Sequence, residues 1–482
     1  MKAHLTNPIF KIISEEAQKL KVEAFVIGGF VRDIFLKRNS KDVDILVLGN
    51  GVEFATAIAK RVGLEKKLAI FKNFGTAMLK LDDLEVEFVG ARKESYRSHS
   101  RKPIVEEGNL QDDQNRRDFT INAMAIRLNP ERFGELVDPF NGIDDLNHKT
   151  IRTPLEPGIT YSDDPLRMMR AIRFATQLEF QIEEKSLLAI TENKERIKIV
   201  SAERVTDELN KIILARKPSI GFKLLFDTGL LELIFPQMVA LYGVETINGR
   251  SHKDNFYHTL QVLDNICHDT DDLWLRWAAI LHDIAKPATK RFDPEQGWTF
   301  HGHEDRGARM VPKIFRQLKL PLNEKMKFVE KMVQLHLRPI VLAQEIVTDS
   351  AVRRLLFDAG EDIESLMILC HADVTTKNEY KIKKYKNNFE LVKQKLKDVE
   401  ERDRMRNWQP PVTGNDIMKM FHLQAGKDVG ILKNLVREAI LEGDIKNDRQ
   451  QALEFILEKG VTMGLIVYDR APEPEESDQK QV

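Results

Sequence analysis

Residues 25–48 read Phe25-Val-Ile-Gly28-Gly29-Phe-Val-Arg32-Asp33-Ile-Phe-Leu-Lys-Arg-Asn-Ser-Lys-Asp42-Val43-Asp44-Ile45-Leu-Val-Leu48. Phe25, Val26 and Ile27 form a short apolar run suited to a strand. Gly28-Gly29 breaks it, and Val31, Arg32 and Asp33 open a helix. A polar linker leads to a second strand carrying Asp42-Val43-Asp44. Side chains two apart on a strand share a face, so Asp42 and Asp44 project together while Val43 and Ile45 point to the other side. Two carboxylates side by side repel one another unless a cation lies between them, and hard divalent ions such as Mg²⁺ take oxygen ligands. The strand–Gly-Gly–helix turn brings backbone N–H groups close to a polyphosphate, with Arg32 adding charge.

A lone Gly-Gly reads as a tight turn and a lone Asp-x-Asp as a solvated pair. Joined in one strand–helix–strand unit they point to a metal-dependent nucleotide site. This pairing resembles the signature of the nucleotidyltransferase superfamily. GGFVRD with KDVDIL is similar to the class II tRNA nucleotidyltransferases, the CCA-adding enzymes, and to the related bacterial poly(A) polymerases.

The bulk properties set the frame. At 482 residues the chain is too long for one core, and two to four domains are expected. Lys+Arg 74 against Asp+Glu 75 leaves a net charge of -1, so RNA contact must come from local basic patches. Two cysteines, Cys267 and Cys370, carry neither metal-ligand spacing nor a disulfide framework and suit a reducing compartment. The first twenty residues do not read as a signal peptide, and no run is apolar enough to span a bilayer. A cytoplasmic protein without membrane contact is expected.

From about 20 to 150 strands alternate with short helices. Val52–Val62 reads as a helix, and Thr76–Leu81 and Leu84–Val89 as strands around Asp82-Asp83. Glu85 and Glu87 share a face. Glu87 matches the position of the family's third carboxylate, or it is an exposed strand residue. Arg92–Gly108 is polar and basic, and is expected to be a mobile loop; the resemblance makes it a candidate for contact with the RNA 3′ end. Arg116-Arg117-Asp118-Phe119-Thr120-Ile121-Asn122-Ala123 places two arginines at the entry of an apolar strand, which calls for acids or phosphates. RRDFTINA is similar to a second family motif. The resemblance implies that Arg117 meets the incoming nucleotide and that Asp118 orients it, with Gln114 departing from the family pattern. DPFNGIDDL, residues 138–146, resembles the exit from the family's catalytic domain.

Helices dominate from about 160. Asp164 suits a helix N-cap and Pro165 the first turn. Arg167, Arg170 and Arg173 then follow at i, i+3 and i+6, a basic stripe. The family motif here is Glu-Asp-x-x-Arg, whose Asp and Arg read the edge of the incoming base in place of a nucleic-acid template. Asp164 and Arg167 hold those positions, and Asp163 stands where the family has Glu. Arginine donors and aspartate acceptors can complement a cytosine or adenine edge. Arg170 and Arg173 read as further nucleotide contacts or as helix braces. Ser201–Leu214 resembles a supporting helix.

Beyond 216, His258, His282-Asp283 and Asp373 each fall in or beside apolar helical stretches. Their order resembles the HD phosphohydrolase superfamily, with His301, His303 and His336 as further ligand candidates for a second divalent metal. Hydrolysis of a phosphomonoester or cyclic phosphodiester is the activity this implies, or the module is structural. Residues 377–406 read as a charged, solvated helix, and Gly426–Gly430 as a helix start able to hold an RNA phosphate. Residues 471–482 read as disordered.

The fold class expected is therefore α+β and multidomain. An α/β nucleotidyltransferase head spans 1–150, a helical neck 151–220, an HD-containing body 221–405 and a tRNA-binding tail 406–470. The resemblance implies addition of C, C and A to tRNA from CTP and ATP with Mg²⁺. A poly(A) polymerase, a CC-only or A-only enzyme, and an HD hydrolase with an RNA-binding head are the alternatives.

Overall fold

The computed structural model describes residues 1–72, 75–81, 83–97, 100–342, 348–376, 378–403 and 408–470. The chain divides into two units: Met1–Gly243 with Phe315–Leu320, and Val244–Ile314 with Pro321–Val482. The 471–482 segment and Asp82 of the expected Asp-Asp turn lie outside the described residues.

The first unit opens with α1 (Pro8–Leu20), capped by the Asn7 side chain accepting from Ile9 N at 3.0 Å. There follow β1 (Ala24–Ile27), α2 (Gly29–Phe35), β2 (Asp42–Val47), α3 (Gly51–Arg61), β3 (Leu68–Phe71), β4 (Thr76–Lys80) and β5 (Glu85–Gly90). Next come β6 (Arg92–Arg97), β7 (Ser100–Glu107), α4 (Leu110–Asn115), β8 (Ala125–Arg127) and β9 (Leu136–Val137). Seven strands form one mixed sheet in the order β3-β4-β5-β2-β1-β8-β9, with β2 and β5 parallel. Phe25, Ile27, Leu46 and Ala125 pack together in its core. Val43 and Ile45 are buried on the opposite face, as alternation along β2 requires. Asn50 caps α3, whose buried Phe54, Ala55, Ile58 and Ala59 lie against β4 and β5.

Two segments of the head differ from what their sequence suggests. The basic segment Arg92–Gly108 is mostly a two-stranded antiparallel hairpin, β6 with β7, and not a loop. Arg92 faces Glu107 and Lys93 faces Glu106 across it, and opposite charges in register favour pairing where apolar alternation is absent. Arg116 and Arg117 do not enter a strand. They follow α4, whose start is a capping box between Asn109 and Asp112, and lead into a 3₁₀ turn over Thr120–Asn122.

The helical part of this unit includes α5 (Gly142–Asn147), α6 (Pro157–Asp163), α7 (Leu166–Leu178), α8 (Glu184–Asn193) and α9 (Ala202–Ile213). The second unit is largely helical, including the helices Asn255–Ile266, Leu273–Leu281, His303–Gln317, Glu324–Leu335, Ile363–Asp373 and Glu379–Asp403. Two small hairpins interrupt it, pairing Thr246–Ile247 with Arg250–Ser251 and Arg291–Asp293 with Gly297–Thr299. The first turns on Asn248-Gly249, both at positive φ, the dipeptide that such tight turns favour. Among the described residues no helix is long and apolar enough to cross a membrane.

Gly51 sits where α3 begins, and a Cβ there would lie 2.7 Å from Gly90 N and 2.8 Å from Val89 C, both backbone atoms of β5. Gly51→Ala should therefore destabilise the first unit by about 1–3 kcal/mol, read as a lower denaturation midpoint in urea.

Candidate functional site

The parallel register pairs Asp42 with Glu85 and Asp44 with Glu87, so all four carboxylates stand on one face of the sheet. Ile27 lies beside Asp44 on the other flank, and the chain then turns at Gly28. Gly28 has φ +81, and a Cβ there would lie 3.0 Å from Asp44 Oδ2 and 3.1 Å from Arg117 Nη1. Glycine thus lets the turn approach the acidic face and a guanidinium together. Burial raises the Asp44 carboxyl above its ordinary range and Arg117 pulls it back; Glu87, Asp42 and Asp113 add to the rise. Among the described residues no three donor atoms of the head already converge. Carboxylates in mutual repulsion on one face still fit an oxygen-seeking cation.

Gly29 begins α2 beside Arg32. Arg32 is held by Asp33 Oδ1 at 2.8–2.9 Å and by Asn122 Oδ1 at 2.9 Å. Arg117 is also fixed, though not by the expected partner. Its Nε donates to Asp113 Oδ2 at 3.0 Å, and Arg116 Nε donates to Asp113 Oδ1 at 2.9 Å. Asp118 instead accepts from Phe119 N at 2.8 Å, Asn122 Nδ2 at 3.1 Å and Arg170 Nε at 2.8 Å. Asp113 orients Arg117, and Asp118 orients Arg170. The fully buried Asp113 was missed as a site residue, although it precedes Arg116 and Arg117 at the i+3 and i+4 helical spacing. Gln114, the departure from the family pattern, is buried and donates to Ala123 O at 2.7 Å.

The arginines of α7 do three different things. Arg167 Nη2 donates to the Arg116 carbonyl, next to the Arg117 site. Arg170 pairs with Asp118. Arg173 is buried in an ion pair with Glu208 of α9, donates to Gln177 Oε1 at 2.9 Å and lies 4.0 Å from the Phe174 ring centroid. Of the two readings of Arg173, the geometry fits a helix brace and not a nucleotide contact. Asp164 Oδ1 accepts from Leu166 N at 3.3 Å, at the start of α7. Phe174, which also lies near Arg32 and Arg170, has no counterpart in the motif reading.

The second unit holds a different constellation. Donor groups of His258, His282 and Asp283 converge, as do those of Asp283, His303 and His336, so Asp283 belongs to both sets. Asp283 Oδ2 lies 3.5 Å from His258 Nε2 and 3.3 Å from His282 Nε2, and its Oδ1 lies 3.2 Å from His303 Nε2. Asp373 Oδ1 is 2.9 Å from His258 Nε2. Every inward nitrogen is Nε2 because each Nδ1 is occupied: by Ala279 O for His282, Phe300 O for His303, Val333 O for His336 and Thr375 Oγ1 for His258. Such outer bonds fix a metal-ligand tautomer. His282 Nε2 is fully buried and, among the described residues, has no well-aligned hydrogen-bond partner, so that a metal ion would satisfy it. Burial pushes His282 down, but Asp283 and Asp373 outweigh it and lift it to about 10, which marks a pocket that demands positive charge. His301, offered with His303 as a ligand, is exposed and outside both sets.

Burial raises the Asp118 carboxyl, but Arg170 and Asn122 outweigh it and hold it at about 2. Since its ordinary value is higher, the ionised group stabilises the fold at neutral pH, and this stabilisation is lost as pH falls through about 2. Asp118→Asn should cost up to about 2 kcal/mol near neutrality. Thermal melts at about pH 6 and about pH 3 should show the gap between parent and variant narrowing on the acid side.

Comparison with known proteins bears on both constellations. The poly(A) polymerase head domain matches residues 24–152, a probable RNA- and SrmB-binding site of polymerase A matches 179–241, and the HD domain matches 255–378. An A-adding tRNA nucleotidyltransferase of Aquifex aeolicus is 45% identical over 161 residues, which are 33% of this chain and 19% of that protein. The chain thus spans about a fifth of that relative's length. A multifunctional CCA protein of Shewanella frigidimarina is 30% identical over 382 residues, covering 76% of this chain and 86% of that one. A CCA-adding enzyme solved in apo form II superposes with TM-score 0.62 at 25% identity, over 95% of each chain. HD and nucleotidyltransferase modules both imply dependence on divalent metal. With the three domain matches in sequence order and four-fifths and more of the Shewanella frigidimarina protein aligned, the chain belongs to the tRNA nucleotidyltransferase and poly(A) polymerase family, in the form that carries an HD domain.

Proposed function

We propose that this protein adds C, C and A to the 3′ end of tRNA from CTP and ATP, without a nucleic-acid template and with Mg²⁺ as the metal. The observation that carries the proposal is the acidic face of β2 and β5 opening at Gly28 onto Arg117. Asp42, Asp44 and Glu87 would hold the ions, and divalent metal bound there would lower the pKa of the RNA 3′-hydroxyl and offset the charge of the leaving pyrophosphate. The hydroxyl oxygen bonds to the α-phosphorus as the bond to pyrophosphate breaks, and positioning supplies much of the rate. Gly28 and Gly29 let the triphosphate lie against the backbone, beside Arg32. Arg117, steadied by Asp113, meets a phosphate oxygen. Asp164 and Arg167 read the base edge, Arg170 is set by Asp118 next to them, and Arg173 braces α7.

Along the chain, 1–150 serve as catalytic head, 151–220 as neck, 221–405 as HD body and 406–470 as tRNA-binding tail, in a cytoplasmic enzyme. The names of the relatives support tRNA as substrate. An A-only enzyme is the second reading, favoured by the 45% identity to the Aquifex aeolicus A-adding protein. Incubation with Mg²⁺, labelled CTP or ATP, and tRNAs ending before C, CC or CCA separates the two: full repair of a tRNA lacking all three nucleotides supports the first, and extension only of tRNA ending in CC the second.

The HD cluster is assigned a separate hydrolytic role on phosphate esters, on the strength of its four inward imidazoles around Asp283. His258, His282, His303, His336 and Asp283 would hold a divalent metal, which would supply an activated water. Hydrolysis of p-nitrophenyl phosphate or of a 2′,3′-cyclic nucleotide in one of several divalent ions supports this, and the absence of both activities in all of them removes it.

Asp42→Ala should lower incorporation at least about a hundredfold while the protein still folds and melts cooperatively; retained turnover would refute the metal role. Arg167→Ala should reduce discrimination among nucleotides about tenfold or more while tRNA affinity holds. Competition between CTP and UTP in single-turnover assays reads the first, and filter binding the second.

A further inference from the structure

The two small hairpins of the second unit have no part in the chemistry described so far. Together with the start of the Asn255–Ile266 helix they line an open cavity of about 380 Å³ that reaches His258 of the HD cluster, with Arg250 and Lys253 exposed at its rim. Arg250, Lys253 and Lys286 line it with Trp298 and Phe300, and no lining residue is a carboxylate. Lys286 is engaged by the cluster, 2.6 Å from Asp283 Oδ2. Lys290 lies beside the same wall, over Trp298, but is neutralised by Glu245 at 2.7 Å.

Arg250 and Lys253 differ from these. Among the described residues neither has a carboxylate ion-pair partner. Arg250 is nevertheless fixed, because its Nη1 donates to Pro294 O at 3.2 Å and Glu295 O at 2.7 Å, across from one hairpin to the other. Asp293 feels the Arg250 charge, but its carboxylate is turned to the N–H groups of Glu295 and Gln296, each at 2.8 Å. Trp298 Nε1 donates to the Arg250 carbonyl at 3.1 Å, and the His252 ring packs edge-on to Trp298 and Phe300. The wall is thus held in place, aromatic and cationic. A guanidinium positioned without an acid suits a phosphate oxygen.

We infer that the hairpin wall is an anion subsite, in which Arg250 and Lys253 hold a second phosphate of the nucleotide whose first phosphate the HD cluster engages. The inference rests on the hydrolytic reading of that cluster and narrows its substrate from phosphate esters in general to nucleotides with two phosphate groups. These are either free nucleoside bisphosphates or the phosphorylated end of an RNA.

Calorimetry on the full chain with divalent ion present tests it, using adenosine 3′-monophosphate, adenosine 3′,5′-bisphosphate and the 3′-phosphorylated dinucleotide ApAp. The parent should bind at least one doubly phosphorylated probe about tenfold more tightly than the monophosphate. Which of the two it prefers separates the free nucleotide from the RNA end. Arg250→Gln and Lys253→Gln should each erode that preference and leave hydrolysis of p-nitrophenyl phosphate unchanged. Comparing each variant with the parent cancels any binding at the head, and among the described residues Lys253 makes no side-chain bond whose loss could unfold the hairpin. Equal affinity for all three probes in the parent, or a preference that survives both substitutions, overturns the inference. If no phosphate ester is hydrolysed in any metal but the preference still depends on Arg250 and Lys253, the subsite stands and the hydrolytic reading falls.

Discussion

The head is organised around carboxylates that would rather not be neighbours. The parallel pairing of β2 with β5 puts Asp44 abreast of Glu87 and Asp42 abreast of Glu85, and no slip of one residue is open, because it would send Val43 and Ile45 out of the core. Burial and the neighbouring acids raise Asp44. A carboxyl whose folded pKa is raised makes the fold more stable with a proton or a cation bound than with the bare charge. The apolar half of the sheet, Phe25 and Ile27 with Leu46, supplies the packing that keeps this repulsion in place. The head is thereby set to gain stability when positive charge arrives.

Positive charge around that face is rationed by two other aspartates. Asp113 holds Arg116 and Arg117 from a fully buried position, and Asp118 holds Arg170. A buried carboxylate without its arginine would be costly, so each arginine is kept in one orientation. The HD cluster solves a related problem differently. There the donors are imidazole nitrogens whose orientation is set by carbonyl oxygens behind His282, His303 and His336, and the Asp283 carboxylate touches both sets. Oxygen donors on a sheet and nitrogen donors among helices suit different metals.

Much of the head was legible because its signals are local. The strand, the glycine pair and the Asp-x-Asp spacing each follow from backbone geometry within a few residues. The hairpin Arg92–Glu107 was not legible from alternation along either strand; the opposite charges that face one another, Arg92 with Glu107 and Lys93 with Glu106, lie far apart in sequence. Asp113 pairs with Arg116 and Arg117 at ordinary helical spacing, but its full burial, which makes the pairing decisive, comes from tertiary packing that the local sequence does not display. His301 and His303 look alike in the sequence. Only the start of the helix at His303, with Nδ1 turned to Phe300 O, separates the inward ring from the exposed one.

The arginines of α7 show how far a spacing rule carries. Three steps along an α-helix leave each residue about 60° behind the last, so positions i, i+3 and i+6 form a fan and not a stripe. Arg167 at one edge reaches the Arg116 carbonyl, Arg170 in the middle meets Asp118, and Arg173 at the other edge is buried against Glu208. The same helix therefore presents one arginine toward the head, ties itself to the head motif with the next, and is clamped to α9 by the third. Any tilt of α7 that moved Arg167 would have to break the Arg170 pair and the buried Arg173 pair together. The placement of Arg167 against the head thus depends on the two arginines behind it, which are committed to Asp118 and Glu208.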